Sequence, residues 1–379
     1  MLALVQAGGL LGEVRAESEA PKAQAGTVVV PSASTGASTT ASGGTKLVSG
    51  AAAIPTTAAV TAVAKAPATS PRETFAPILP RLKRRGIKSD FLDAMLTDPS
   101  THFEEKALAL VILQFSQKGP SYSYATAPDA IEKSGAFLGT NATTLAACEK
   151  RTGVDREILT ALMWVETRLG EKTGTYSVAS VFLTLAMASQ PEIIARQKEK
   201  LKTSFQGTKR ELKQALSKVD RRAKHYSEWG VQELLALQKI HRKYGARFAT
   251  PVYRLQGSWA GAFGMAQFIP SSYYRLAQDG DLDDKFDPYS VADSACSVGH
   301  FLKKAGWGKA VARRKRALLR YNHSTDYGLA ILSLSKLIRS QRTLVTGDVT
   351  TGVPHAALGR EPNSVASSGA VQPSAASQR

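Results

Sequence analysis

The chain has 379 residues, 43% of them hydrophobic, with 49 Lys+Arg against 31 Asp+Glu and a formal net charge of +18. That length and apolar content allow a large buried core and one to three domains, and the cationic surplus draws polyanions such as nucleic acid, an anionic membrane or an acidic cell wall. No zinc-ligand spacing, basic heptad region or aromatic RNP-type motif accompanies the charge, so nucleic acid is not the expected partner, and no apolar run is long enough to span a bilayer.

In chain order, the start MLALVQAGGLLGEVRAESEAP resembles a signal peptide in its apolar stretch but lacks a basic n-region. From Glu17 to Ser70 the residues are mainly Ala, Thr, Ser, Gly and Pro, and the tail after Thr343 has the same character. Such segments cannot bury enough apolar surface to offset chain entropy, which predicts disorder at 1–72 and 343–379 around one compositionally uniform block at 73–342. Within the block, helical periodicity predicts helices at FLDAMLTD, EEKALALVILQF, DREILTALMWVETRLG, SVFLTLAMAS and QKEKLKTSF. Further helices are expected at TKRELKQALSKVDRRAKHY, VQELLALQKIHRKYG, SSYYRLAQ, SVADSACSVGHFLKKAG and STDYGLAILSLSKLI. The two cysteines, Cys148 and Cys296, allow one disulfide at most. Nothing in the sequence brings their side chains together, so two buried free thiols are expected.

One carboxylate stands in an apolar stripe. Leu159, Leu162, Met163 and Glu166 fall at i, i+3, i+4 and i+7, one face of a helix. A solvated glutamate would sit with Thr160, Thr167 and Arg168, and the bland reading lets Glu166 swing out to pair Arg168 or Lys172. The functional reading is an acid whose pKa is raised by desolvation towards working pH. A second signal is GSWAGAFGMAQFIPSSYY, where Gly257, Gly261 and Gly264 imply close backbone approach. Ser258 and Gln267 lie there among Trp259, Phe263 and Phe268, a mixture suited to the apolar faces and hydroxyls of a sugar, although a tightly packed Gly-rich helix pair fits equally well. The third is RYNHSTDYGLAIL, with Tyr321, Asn322 and Tyr327 around a helix cap at Ser324 or Thr325. His323 reads as a solvent-facing loop residue, because no serine or cysteine nucleophile motif accompanies it.

Taken together and in this order, WVETRLGEKTGTYSVASVFLTLA, GSWAGAFGMAQFIPSSYYRLAQDGD and YNHSTDYGLAILSL resemble the B-type lytic murein transglycosylases over roughly 73–340. The resemblance implies a mainly α, lysozyme-like catalytic fold with a helical accessory region. It also implies cleavage of the β-1,4 bond between N-acetylmuramic acid and N-acetylglucosamine, with a 1,6-anhydro product. Glu166 would be the single catalytic acid/base, while Ser258, Gln267, Phe268, Tyr321, Asn322 and Tyr327 would line the glycan subsites. The implied partner is the peptidoglycan strand, met by a monomer in the periplasm or cell envelope with no cofactor required, and the positive charge of the chain adds electrostatic contact with anionic envelope polymers. The alternatives are a glycan-binding module that does not cut and a lysozyme-type hydrolase.

Downstream, DGDLDDKFDP places Asp279, Asp281, Asp283 and Asp287 in the opening pattern of a calcium loop. Asp284 replaces the usual glycine and Ser290 the closing glutamate, so a solvated acidic turn competes with a structural calcium site. The basic stretch from Glu192 to Arg247 reads as a pair of solvated amphipathic helices.

Overall fold

A computed structural model describes residues 69–114 and 121–346. The expected low-complexity segments at 1–72 and 343–379 fall outside the described residues, apart from positions 69–72 and 343–346. The first helix, α1 (Pro71–Phe75), opens with a capping box in which Ser70 and Glu73 satisfy each other's backbone amides. Helices α2 (Leu79–Arg84), α3 (Ser89–Thr97), α4 (Glu105–Leu113), α5 (Pro128–Thr140) and α6 (Ala142–Thr152) follow.

The centre of the fold is α7 (Arg156–Thr167), ten of whose twelve residues are buried. Its expected polar face does not exist as a solvated surface: Thr160 and Thr167 are buried and hydrogen-bonded to main-chain carbonyls. A threonine in a helix can turn its hydroxyl back onto the preceding turn, so it tolerates burial where a charged residue would not. Neighbours α5, α6, α12 (Val291–Lys304) and α14 (Thr325–Thr346) pack around α7.

Ion pairs fix this arrangement. Glu157, at the first turn of α7, accepts from Arg339 and Arg342 of α14, each at 3.1 Å. Removing both partners would leave this buried carboxylate uncompensated, at a cost of about 3–5 kcal/mol, so α14 is held to α7 at this end.

The second group gathers on α10 (Lys209–Tyr244), which packs on α4, α8 (Val178–Ala186), α9 (Pro191–Ser204) and α11 (Pro270–Leu276). The sequence divides this stretch into two helices; the protein forms one helix of 36 residues, capped by Thr208 at its start and ended by Gly245. Gly230 lies at its middle without breaking it, because a Cβ there would stand 2.7 Å from the Ala186 amide nitrogen. The glycine thus permits close packing on α8, which outweighs its poor helix propensity.

Helix α13 (Val311–Tyr321) has no counterpart in the sequence reading; its five Lys and Arg residues mask a short apolar seam of Ala317, Leu318 and Tyr321. Cys148 of α6 and Cys296 of α12 form a disulfide with a Cα–Cα distance of 4.8 Å, which corrects the expectation of free thiols. Both cysteines are buried, so the pairing depends on a tertiary contact between residues 148 positions apart. A two-residue antiparallel pair, β1 (Tyr176–Ser177) with β2 (Gln256–Gly257), joins the segment after α7 to the Gly-rich loop. Among the described residues no single helix is long and apolar enough to cross a membrane.

Candidate active site

Glu166 occupies the last turn of α7 and is only partly exposed. The helix ends immediately afterwards: Arg168 and Leu169 both take left-handed backbone conformations, with φ of 54° and 60°. Their amides turn back to the carbonyls of Trp164 and Met163, which closes the helix end. Two successive non-glycine residues in this region cost roughly 1–3 kcal/mol each, and the packing around α7 holds them there.

Tyr327, buried in the first turn of α14, donates its hydroxyl to Glu166 Oε1 at 2.7 Å. Burial pushes the Glu166 carboxyl up to about 7, and the Tyr327 hydrogen bond pulls the other way without offsetting it. No Asp or Glu among the described residues contributes to that shift. Glu166 is therefore a lone acid, half-protonated near neutrality.

Around it the sequence-chosen residues divide. Tyr321 stacks on Tyr327 with ring centroids 6.3 Å apart and donates to the Ala266 carbonyl, lying wholly beneath the surface. Phe268 is also buried, with its ring 5.8 Å from Tyr321, so these two support the site rather than present a face to solvent. Asn322 is buried with neither side-chain amide atom hydrogen-bonded. An amide left so costs about 1–3 kcal/mol, which suits a group kept for a ligand.

Gln267 has φ of +48° and donates Nε2 to the carbonyls of Thr173 and Gly264, both at 3.0 Å, which leaves Oε1 without a partner among the described residues. Ser258, partly exposed, accepts the Ala262 amide. His323 is exposed, as its loop position implies.

The glycines of this loop serve the chain's own packing. A Cβ on Gly261 would stand 2.4 Å from the Phe182 ring, and one on Gly264 would stand 2.3 Å from the Pro288 carbonyl. Their positive φ values make the close turns feasible.

Two residues beside Glu166 escaped the sequence reading. Tyr122 packs edge-on against Tyr327 with centroids 5.8 Å apart, and Tyr124 donates to the Val165 carbonyl at 3.3 Å. The hydroxyls of both tyrosines are pushed upward, by burial first and then by the charge on Glu166. Only the SYSY repeat at 121–124 marked them, and its two-residue period points to a strand, whereas Ser123–Thr126 fold as a short 3-10 turn.

In the acidic loop, the carboxylates that converge are Asp279, Asp281 and Asp293, with ligand atoms within 4.8 Å of one another. Asp283 and Asp287 are not in this group; they accept the amides of Lys285 and Tyr289 instead. Asp293 was missed because it lies in α12, beyond the loop, and reaches back to accept the amides of Gly280 and Asp287. Burial, and then the neighbouring charges of Asp281 and Asp279, raise it to about 6 despite those bonds.

A helical domain with one desolvated acid at the end of its central helix, backed by a tyrosine-rich wall and a Gly-rich loop, has the architecture of the lysozyme-like transglycosylases. The transglycosylase SLT domain matches residues 71–315, and the chain belongs to that family. Membrane-bound lytic murein transglycosylase B of Escherichia coli (strain K12) is 24% identical over 237 residues, covering 59% of this chain and 55% of that protein. The chain thus spans about half the length of this curated relative.

SltB3 from Pseudomonas aeruginosa, solved in complex with NAG-anhNAM-pentapeptide, superposes with a TM-score of 0.54 at 20% identity over 71% of this chain and 80% of that one. The Escherichia coli lytic transglycosylase Slt35, solved in complex with calcium, gives a TM-score of 0.51 at 20% identity over 72% of this chain and 94% of that one. These superpositions share the helical fold.

Proposed function

We propose that the chain is a peptidoglycan lytic transglycosylase of the periplasm or cell envelope, acting in cell-wall turnover. The observation that carries this reading is the lone, desolvated Glu166 with a pKa near 7 and a tyrosine donor on one oxygen. In its protonated form Glu166 donates to the β-1,4 glycosidic oxygen of the muramyl sugar. Cationic character then builds on the ring and is shared by the substrate's acetamido group. The resulting carboxylate takes the proton of the muramyl 6-hydroxyl, which closes on C1 as the leaving sugar departs.

A pKa near working pH serves both halves, since one group must first give and then take a proton. Ordinary glycosidases pair two carboxylates roughly 5–10 Å apart, one of them activating water or attacking the sugar. An internal hydroxyl held next to C1 removes that requirement, because proximity replaces the second group. The buried Asn322 amide and Gln267 Oε1 are suited to sugar hydroxyls or acetamido groups, and Ser258 stands on the same loop as Gln267. The relative solved with NAG-anhNAM-pentapeptide, whose anhydro sugar is the product of such a closure, supports this choice of substrate.

Digestion of purified peptidoglycan, with products weighed by mass spectrometry, tests the reading. The protein is expected to release fragments one water lighter than hydrolysed ones, and Glu166→Gln to release none. Hydrated fragments would favour a hydrolase, and no fragments from the unaltered protein would favour a binding module.

We also propose that Asp279, Asp281 and Asp293 hold a divalent cation with a structural role. Three oxygen donors suit a hard cation such as calcium, and its charge would offset the burial, and then the neighbouring charges of Asp281 and Asp279, that raise Asp293. The five amides that Asp279 and Asp293 already accept leave lone pairs for a metal. Millimolar calcium is expected to raise Tm, and Asp293→Asn to abolish that rise; an unchanged Tm would assign the cluster to an ordinary acidic turn.

A further inference from the structure

Two residues beyond Glu166, the Arg168 guanidinium lies over two aromatic rings. Its central carbon lies 4.1 Å from the centroid of Tyr124 and 4.6 Å from the ring of Trp164. Trp164 is buried in α7, and Tyr124 is anchored by its bond to the Val165 carbonyl, so neither ring is free to swing away. Stacking satisfies the faces of a guanidinium but not its edges, which carry five N–H donors in a fixed fork. Among the described residues no carboxylate or carbonyl accepts from that fork. The nearby acid Glu171 is paired with Lys133 at 3.8 Å.

The backbone makes the same point. Arg168 takes a left-handed φ of 54° that glycine or asparagine would accept with less strain. The arginine is partly exposed and sits in the same wall as Glu166, whose charge is felt by Tyr124. A charged fork beside the cleavage site, packed on two rings and without an acceptor among the described residues, matches a planar anion able to accept two parallel hydrogen bonds.

We propose that Arg168 receives a free carboxylate of the peptide that substitutes the muramyl sugar, and so sets a preference for strands whose peptides keep that carboxylate ionised over strands in which it is amidated. This rests on the peptidoglycan reading of the Glu166 site and adds to it a second, non-reacting contact. Tyr124 and Trp164 position the fork. The carboxylate docks edge-on to it, and the sugar is drawn into register with Glu166.

Two readouts test this. The first is kcat/KM on peptide-bearing strands divided by kcat/KM on the same strands with their peptide carboxylates converted to neutral amides. Arg168→Gln is expected to lower that ratio roughly tenfold, the loss typical of one charge-assisted contact, and Arg168→Lys to lower it less, since it keeps the charge but loses the fork. A ratio unaltered in both variants would overturn the proposal, because a merely structural arginine would depress both substrates alike.

The second is calorimetric binding of a soluble muramyl pentapeptide to the Glu166→Gln protein with and without Arg168→Gln. Weakening by about tenfold supports the contact even if the protein cleaves nothing, and equal affinity overturns it. Failure of the cleavage reading and failure of the carboxylate contact thus give different results.

Discussion

Tyr327 places its hydroxyl 2.7 Å from Glu166 and so works against the burial that surrounds the acid. The donor favours the carboxylate, so its removal should raise the pKa further. In Tyr327→Phe the alkaline limb of kcat/KM, where the protonated acid is lost, is expected to move upward from about 7. A fall of about tenfold at the optimum should accompany it, from the lost hydrogen bond. A limb that moves downward or stays fixed would show that Tyr327 does not act on the titrating group. The sequence exposed the anomaly at this scale, a glutamate in register with Leu159, Leu162 and Met163. It could not supply the partner, because Tyr327 lies 161 residues away and meets Glu166 only once α14 has packed on α7. Asp293 is the same kind of miss: its approach to Asp279 is made by the turn between loop and helix, not by spacing in the loop.

At the scale of elements, α10 shows where periodicity misleads. Gly230 interrupts the strongly charged pattern, and local propensity alone argues for two helices. The packing surface of α8 decides otherwise, since it needs the missing side chain at that point. Gly230→Ala sets the two effects against each other: about 1 kcal/mol gained in helix propensity against about 1–3 kcal/mol of overpacking. A Cβ only 2.7 Å from one backbone atom and 2.9 Å from another makes the steric cost the larger. A lower denaturation midpoint is expected, and a higher one would show that α8 and α10 can separate freely. Helix α13 was invisible for the opposite reason: VARRKRALLRY is too basic to show an apolar stripe, and its short seam acquires meaning only against α12 and α14.

For the molecule as a whole, the disulfide between α6 and α12 closes a separation of 148 residues across the core. Such a bridge is worth about 2–4 kcal/mol by restricting the unfolded chain. Reduction, or paired Cys148→Ser and Cys296→Ser substitution, should lower Tm by roughly 5–15 °C. An unchanged Tm would show that the bridge adds nothing to the packed helices. A structural disulfide agrees with the oxidising envelope proposed for this chain.

The helical character of the fold was legible because most of its helices have an apolar face. The pairing of those helices, the cysteine bridge and the tyrosine wall at 122–124 were not, since each depends on contacts between distant segments. The three motifs still singled out Glu166, the carboxyl that the fold desolvates, because it is an unusual residue in an ordinary pattern.

The central claim is that Glu166 cleaves with an internal hydroxyl and not with water. Digestion of peptidoglycan in water enriched in oxygen-18, followed by mass spectrometry of the muramyl ends, tests it most directly. Ends carrying no heavy oxygen and lacking one water are the predicted result; ends that take up a single oxygen-18 would make the protein a hydrolase.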